Sequence, residues 1–236
     1  MEGLSLIQKL AIFVLPMIFA ITVHEAAHGW VAKLLGDKTA EMLGRVTLNP
    51  IKHIDPVGTI AVPLGMYLIT ISTYGTGFMF GWAKPVPVNW NNLHHPKRDM
   101  GLVALAGPGA NLLMALFWSV IVYIGAFSYQ HVEWLALPLM YMGAAGVLVN
   151  TVLMVLNLMP IPPLDGGRIV YSLLPPKQAQ LFSRLEAYGL VIILLLLVTG
   201  ILGFLLWPLI VLTINILPAS DLVDKLILFI LSPARS

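Results

Sequence analysis

His24, Glu25 and His28, standing together in the run HEAAH, are the residues of this chain best suited to chemistry. On a helix, positions i and i+4 project from one face a turn apart, which suits two imidazole ligands of a single zinc ion. The glutamate between them can take a proton from a water that the metal activates. The run sits inside an apolar stretch, and three ionisable side chains at membrane depth are costly enough to call for a functional reason. The spacing implies a metallohydrolase, and the surroundings place its chemistry inside a bilayer.

A catalytic zinc site usually has three protein ligands and a water. The chain has no cysteine, so a third ligand must come from histidine or a carboxylate. Only 11 Asp and Glu residues are available. Asp37, Glu41, Asp55 and Asp99 read as loop residues, Glu133 falls at the opposite membrane face, and Asp221 and Asp224 lie in a polar break near the C-terminus. Asp165 differs: it follows a long apolar segment in NLMPIPPLDGGR, where prolines stop a helix and two glycines free the backbone. It is the candidate third ligand, although an Asp in a Pro/Gly turn also serves as an ordinary helix stop.

The elements that must position these residues are membrane helices. The chain of 236 residues is 58% hydrophobic and 10% charged, with a mean hydropathy of +0.89, which no soluble globular domain approaches. A net charge of +2 is too small to imply nucleic-acid binding, and no basic run supports it. Apolar segments at 5–32, 56–74, 101–127, 134–159, 187–203 and 204–231 predict an all-α polytopic membrane protein of five to six transmembrane helices in one domain, 1–236. The last segment is weakened by Pro208, Pro218, Asp221, Asp224 and Lys225, so its C-terminal half is a candidate interfacial helix. The first segment runs on through HEAAH without a convincing cleavage site and is expected to stay in the mature protein.

Loop charge sets the topology. Simple alternation of six segments divides the 13 Lys and Arg residues between the two sides. If 56–92 instead returns to its starting side, every Lys and Arg except Lys9 falls on one face, which is then cytoplasmic. The Gly/Pro-rich stretch 75–92 permits that path as a small re-entrant or β segment. Non-helical backbone at membrane depth persists only where it is buried in protein or lines a wet cavity, which hydrolysis also needs. HEAAH then begins roughly 10–15 Å below the cytoplasmic end of its helix.

With both motifs in place, the chain resembles the site-2 protease family of intramembrane zinc metalloproteases. The resemblance covers most of the length and rests on HEAAH at 24–28, GWAKPVPVN at 81–89, AGPGAN at 106–111 and NLMPIPPLDGGR at 157–168. It implies Zn2+ held by His24, His28 and Asp165, with Glu25 as general base, and membrane-protein substrates cut at a transmembrane segment. It also implies that Asn157 positions or polarises the scissile carbonyl, a role an amide donor can perform; an amide bonding the freed carbonyls before Pro160 is the equal alternative. The chain departs from the best-known members in carrying neither an inserted PDZ-like domain nor a nucleotide-sensing domain. The compact form and the lack of cysteine point to a prokaryotic plasma membrane.

Three further features remain. Val86 and Val88 in GWAKPVPVN are candidate substrate-binding positions, because an extended substrate can add to a strand edge, while a structural plug explains the same segment. Gly107, Pro108 and Asn111 read as helix-packing residues, with Asn111 bonding a neighbouring helix. His53, His94 and His95 read as surface histidines. Against the protease stands a divalent-metal transporter or sensor using His24, His28 and Asp165 as a transient ion site. That reading needs a polar path to the outer side, which AIFVLPMIFAI on the first helix does not offer.

Overall fold

A computed structural model describes residues 4–62, 64, 65, 68 and 83–231. Helix α1 (Leu6–Leu34) opens on a capping box in which Ser5 Oγ accepts the Gln8 N–H at 3.3 Å and Gln8 Oε1 accepts the Ser5 N–H at 2.9 Å. It tolerates Pro16 and stops where Gly36 takes a left-handed φ of 112°. A four-residue helix α2 (Thr39–Met42), a 3-10 turn at Pro50–His53 and a π-helical turn at Pro56–Ala61 follow. Residues 83–89 run extended into a 3-10 turn at Trp90–Asn92.

Two long helices come next, α3 (Pro96–Ser128) and α4 (Glu133–Asn157). Helix α5 (Asp165–Leu173) begins after the proline-rich bend, which holds a cis Pro162–Pro163 bond. Helix α6 (Pro176–Ser183), a 3-10 turn at Arg184–Tyr188 and α7 (Gly189–Val198) lead to α8 (Ile201–Asn215) and α9 (Ser220–Leu231).

The fold is all-α, with no strand among the described residues. Four stretches are long and apolar enough to cross a membrane: Ile7–Leu34, Pro96–Ser128, Glu133–Asn157 and Pro176–Val198, with Ile201–Asn215 a shorter apolar helix. Their outward faces are lipid-like, as Leu10, Val14, Met17 and Phe19 on α1 and Leu113, Phe117 and Ile124 on α3 stay exposed. Three sequence segments match α1, α3 and α4 closely. The C-terminal pair divides differently, turning at Gly200, whose φ of 76° only glycine adopts freely, and breaking again at Pro218 and Ala219. Of the expected re-entrant or β segment 75–92, residues 75–82 lie outside the described residues, while 83–89 run extended without forming a strand and Trp90–Asn92 form the 3-10 turn.

The core is built around α3 and α4, which pack more extensively than any other pair. Small residues let them approach: a Cβ at Gly143 would stand 2.6 Å from Val122 Cγ2, and one at Gly146 would enter the Trp118 ring. Trp118, Val122, Met140, Ala144 and Val147 fill this contact, and Ile210, Ile214 and Val223 from α8 and α9 close it from outside. Helix α1 lies against α3 and α4, and α5 packs on the first turns of α3, where the Lys97 ammonium donates to Leu174 O. The first halves of α3 and α5 are thereby brought to the HEAAH face of α1.

Candidate metal centre

His24 and His28 project together from α1, their rings 4.7 Å apart and nearly perpendicular. Asp165, first residue of α5, meets them from the other side. Its Oδ2 lies 3.2 Å from His24 Nε2 and 3.3 Å from His28 Nε2, and the two Nε2 atoms are 3.1 Å apart. All three residues are buried. The glycines after Asp165 make this approach possible, because a Cβ on Gly166 would collide with the Leu158 and Met159 carbonyls and one on Gly167 would come within 2.5 Å of Pro162 N. The helix start can therefore nest on the proline bend only with glycine at both places.

The far side of each imidazole is occupied. His24 Nδ1 is 2.6 Å from Asn111 Oδ1, and His28 Nδ1 is 2.7 Å from Val103 O. Each Nδ1 must donate to its oxygen, which in the neutral, metal-binding form leaves Nε2 of both rings as a lone pair. Two lone pairs and a carboxylate oxygen thus converge with no proton among them, and Asp165 Oδ2 is buried without a hydrogen-bond donor. Such a set is repulsive alone and becomes stable around a cation. Ligand atoms about 2.0–2.1 Å from a tetrahedral zinc stand about 3.3 Å from one another, matching these separations. Gly107 completes the fit, since a Cβ there would lie 2.5 Å from His28 Nε2 and 2.6 Å from His24 Nε2.

Glu25 occupies the next face of α1, half-buried, with Oε2 accepting the Val86 N–H at 2.7 Å. Val86 is itself buried and rests on Gly29, where a Cβ would meet its Cγ1 at 3.1 Å. The extended segment is pinned along its length. Lys84 N donates to His53 O at 3.0 Å, Arg45 donates to Lys84 O at 2.8 Å, and Asn89 N donates to Asp37 Oδ2 at 2.7 Å. Between Lys84 and Asn89, Val88 carries the one backbone N–H without a partner among the described residues, the others being bonded or proline.

Asn157 ends α4, and its Nδ2 donates back to Leu153 O at 2.9 Å. One amide proton is thereby spent on the helix, and the other proton and the oxygen remain. Arg168 follows Asp165 by three residues, lies 4.9 Å over the Trp90 ring and reaches Glu186 Oε1 at 3.9 Å. His53 is buried rather than on the surface, with Nε2 on Thr47 O at 3.0 Å, whereas His94 and His95 are exposed.

Asn111 does more than the helix packing its sequence position implies: its Oδ1 meets His24 Nδ1, and Asn150 stands behind it. The available signal was two asparagines inside otherwise apolar helices, each needing buried partners. Asp37 was read as a loop residue, yet it is fully buried. Burial works to raise its carboxyl's pKa, but hydrogen bonds from the Thr39 hydroxyl, the Asn92 amide and the Asn89 and Thr39 N–H groups outweigh it and hold the group below its ordinary value.

A bundle of apolar helices closing on a buried His–His–carboxylate triad defines a membrane-embedded zinc hydrolase. The chain matches Peptidase family M50 over residues 12–135 and 128–200, and it belongs to that family, the site-2 protease type of zinc metallopeptidase. It is 38% identical over 196 residues to "Putative zinc metalloprotease YwhC" of Bacillus subtilis, covering 83% of this chain and 84% of that one. It is 29% identical to "Putative zinc metalloprotease Rip2" of Mycolicibacterium smegmatis over 77% of this chain and 64% of the relative. The Mycobacterium tuberculosis protein of the same name is 26% identical over 75% of this chain and 62% of its own length. No solved structure gives a significant match.

Proposed function

We propose that this protein is an intramembrane protease that hydrolyses peptide bonds in or near transmembrane segments of other membrane proteins. It acts in the plasma membrane of a prokaryote, with its centre towards the cytoplasmic side. The observation that carries the reading is the buried His24–His28–Asp165 set, which joins Asp165, 141 positions beyond His24, to the C-terminal half of the apolar helix α1, where Glu25 follows His24. Zinc held there would supply Lewis acidity, polarising a carbonyl and acidifying water.

Glu25 takes a proton from the attacking water as its oxygen bonds to the carbonyl carbon. It returns that proton to the amide nitrogen as the C–N bond breaks, leaving a carboxylic acid, which keeps the water's other proton, and an amine. Asn157 offers its remaining amide proton to the carbonyl oxygen, where negative charge develops. Val86 and Val88 mark the line along which an unwound substrate would lie, and the Val88 N–H is the group available to hold it. The partner is therefore a membrane protein met within the lipid bilayer.

The metal transporter alternative gains no support from the polar residues behind the site. That chain of amides runs from His24 to Asn111 and Asn150 and closes on the Ala20 and Gly146 carbonyls.

Glu25→Gln tests the protease reading. Membranes carrying the variant should accumulate uncut substrate in a proteomic comparison with wild type. Turnover should fall about 10²–10⁴-fold with stoichiometric zinc retained. Cleavage persisting at the wild-type rate would overturn the mechanism.

A further inference from the structure

We propose that Asn111 is a positioning residue of the zinc centre, acting through His24, and that Asn150 holds Asn111 in its working orientation. The inference rests on the centre proposed above and adds the groups that orient it. Asn111 and Asn150 are both fully buried, on α3 and α4, and their amides form one chain ending at the His24 ring.

The direction of that chain is fixed from its backbone ends. A carbonyl only accepts, so the Asn150 atom 2.8 Å from Gly146 O is the nitrogen. Its oxygen then faces Asn111 at 3.0 Å and requires a donor, which is Asn111 Nδ2. Ala20 O, 3.2 Å from the same nitrogen, makes the same demand. Asn111 Oδ1 is left pointing at His24 Nδ1 across 2.6 Å, and the imidazole must donate there. His24 is thereby locked in the tautomer whose Nε2 lone pair faces Asp165.

His28 is locked the same way by a main-chain group, Val103 O at 2.7 Å, which no side-chain substitution can remove. His24 depends on a side chain, so its orientation alone is open to mutation. Without Asn111 the buried ring loses its acceptor, and both the tautomer and the ring angle are released.

The test compares Asn111→Leu with Asn111→Asp in the purified full chain, reading zinc affinity by chelator competition. Leucine removes the acceptor and both donated bonds. Aspartate keeps the acceptor but loses the bonds to Ala20 O and Asn150. A positioning role predicts about a 10- to 100-fold loss of zinc affinity for leucine. It predicts for aspartate only the several-fold loss that follows from losing Asn150, and a wild-type Co2+ absorption band in that variant only. Equal losses in both variants would mean that Asn111 merely packs the helices, and wild-type affinity in Asn111→Leu would overturn the proposal outright.

Should Asn111→Leu fail to assemble, Asn150→Leu decides, with a several-fold loss of zinc affinity expected and unchanged affinity overturning the chain of orientation. His24→Ala keeps the two readings apart: if it binds zinc as wild type, the centre itself is wrong, whatever Asn111 does.

Discussion

His24 and Glu25 are neighbours on one helix, yet they are held in opposite ways. His24 is buried between Asp165 and a closed network of amides drawn from α1, α3 and α4. Glu25 is half-buried, and its one described bond comes from Val86 on an extended strap. The strap is fastened at separate points by Arg45, His53 and Asp37, outside the helical core. The helix bundle therefore fixes the proposed metal ligands, while the proposed base is aimed by an extended segment fastened at separate points by hydrogen bonds. Regions of that kind open at lower free energy than packed helices. A metal centre needs constant geometry, whereas a base that meets water and substrate needs a partner it can exchange.

The comparison breaks most severely if the ligand side proves dispensable. Asp165→Ala leaves two histidines, too few for a closed zinc site, and removes the only carboxylate facing them among the described residues. Zinc content after dialysis should fall from one per chain to near zero, with proteolysis lost in parallel. Retention of a full equivalent would show that another group completes the site.

Cutting the strap from the proposed base should act on turnover and leave zinc binding intact. Val86→Pro deletes the N–H that Glu25 accepts at 2.7 Å. A hydrogen bond to a charged group is worth about 1.5–3 kcal/mol, so a fall in kcat of roughly 10- to 100-fold is expected with zinc stoichiometry unchanged. Loss of zinc in this variant would mean that strap and ligand cluster act as one unit, which erases the distinction drawn above. A faster enzyme would identify the contact as a restraint instead.

The two sides were also unequally legible in the sequence. HEAAH announced itself because i, i+4 spacing is a local property of a helix, and Asp165 stood out because prolines and glycines around a lone carboxylate have few uses. The apolar segments 101–127 and 134–159 fell within two or so turns of α3 and α4 for the same reason. Asn111 could be seen as a polar residue among apolar ones, but its partner lies 87 positions away. The Glu25–Val86 bond spans 61. Asp37 and His53 looked like surface residues because the strap that buries them is not adjacent in sequence. Gly200 and Gly203 were equivalent on the page, and only the backbone angle at Gly200 settles where the C-terminal hairpin turns.

The smallest expected effect lies at the far fastening of the strap. Asp37 holds Asn89 N, the Asn92 amide and Thr39 through a carboxylate that hydrogen bonding keeps ionised below its ordinary pKa of 3.8. A group whose folded pKa is depressed stabilises the fold above its unfolded pKa, and that contribution fades as pH falls through the lower folded value. Asp37→Asn should therefore lower the Tm by a few degrees at neutral pH, and its gap from wild type should narrow once the pH drops below about 3.8. Zinc affinity should stay at the wild-type level, because the anchor touches the base side alone. Thermal unfolding in detergent across that pH range reads the first effect and chelator competition the second. A gap that widens in acid would reverse the sign of the linkage, and a weakened metal site would show that the strap reaches further into the bundle than its hydrogen bonds indicate.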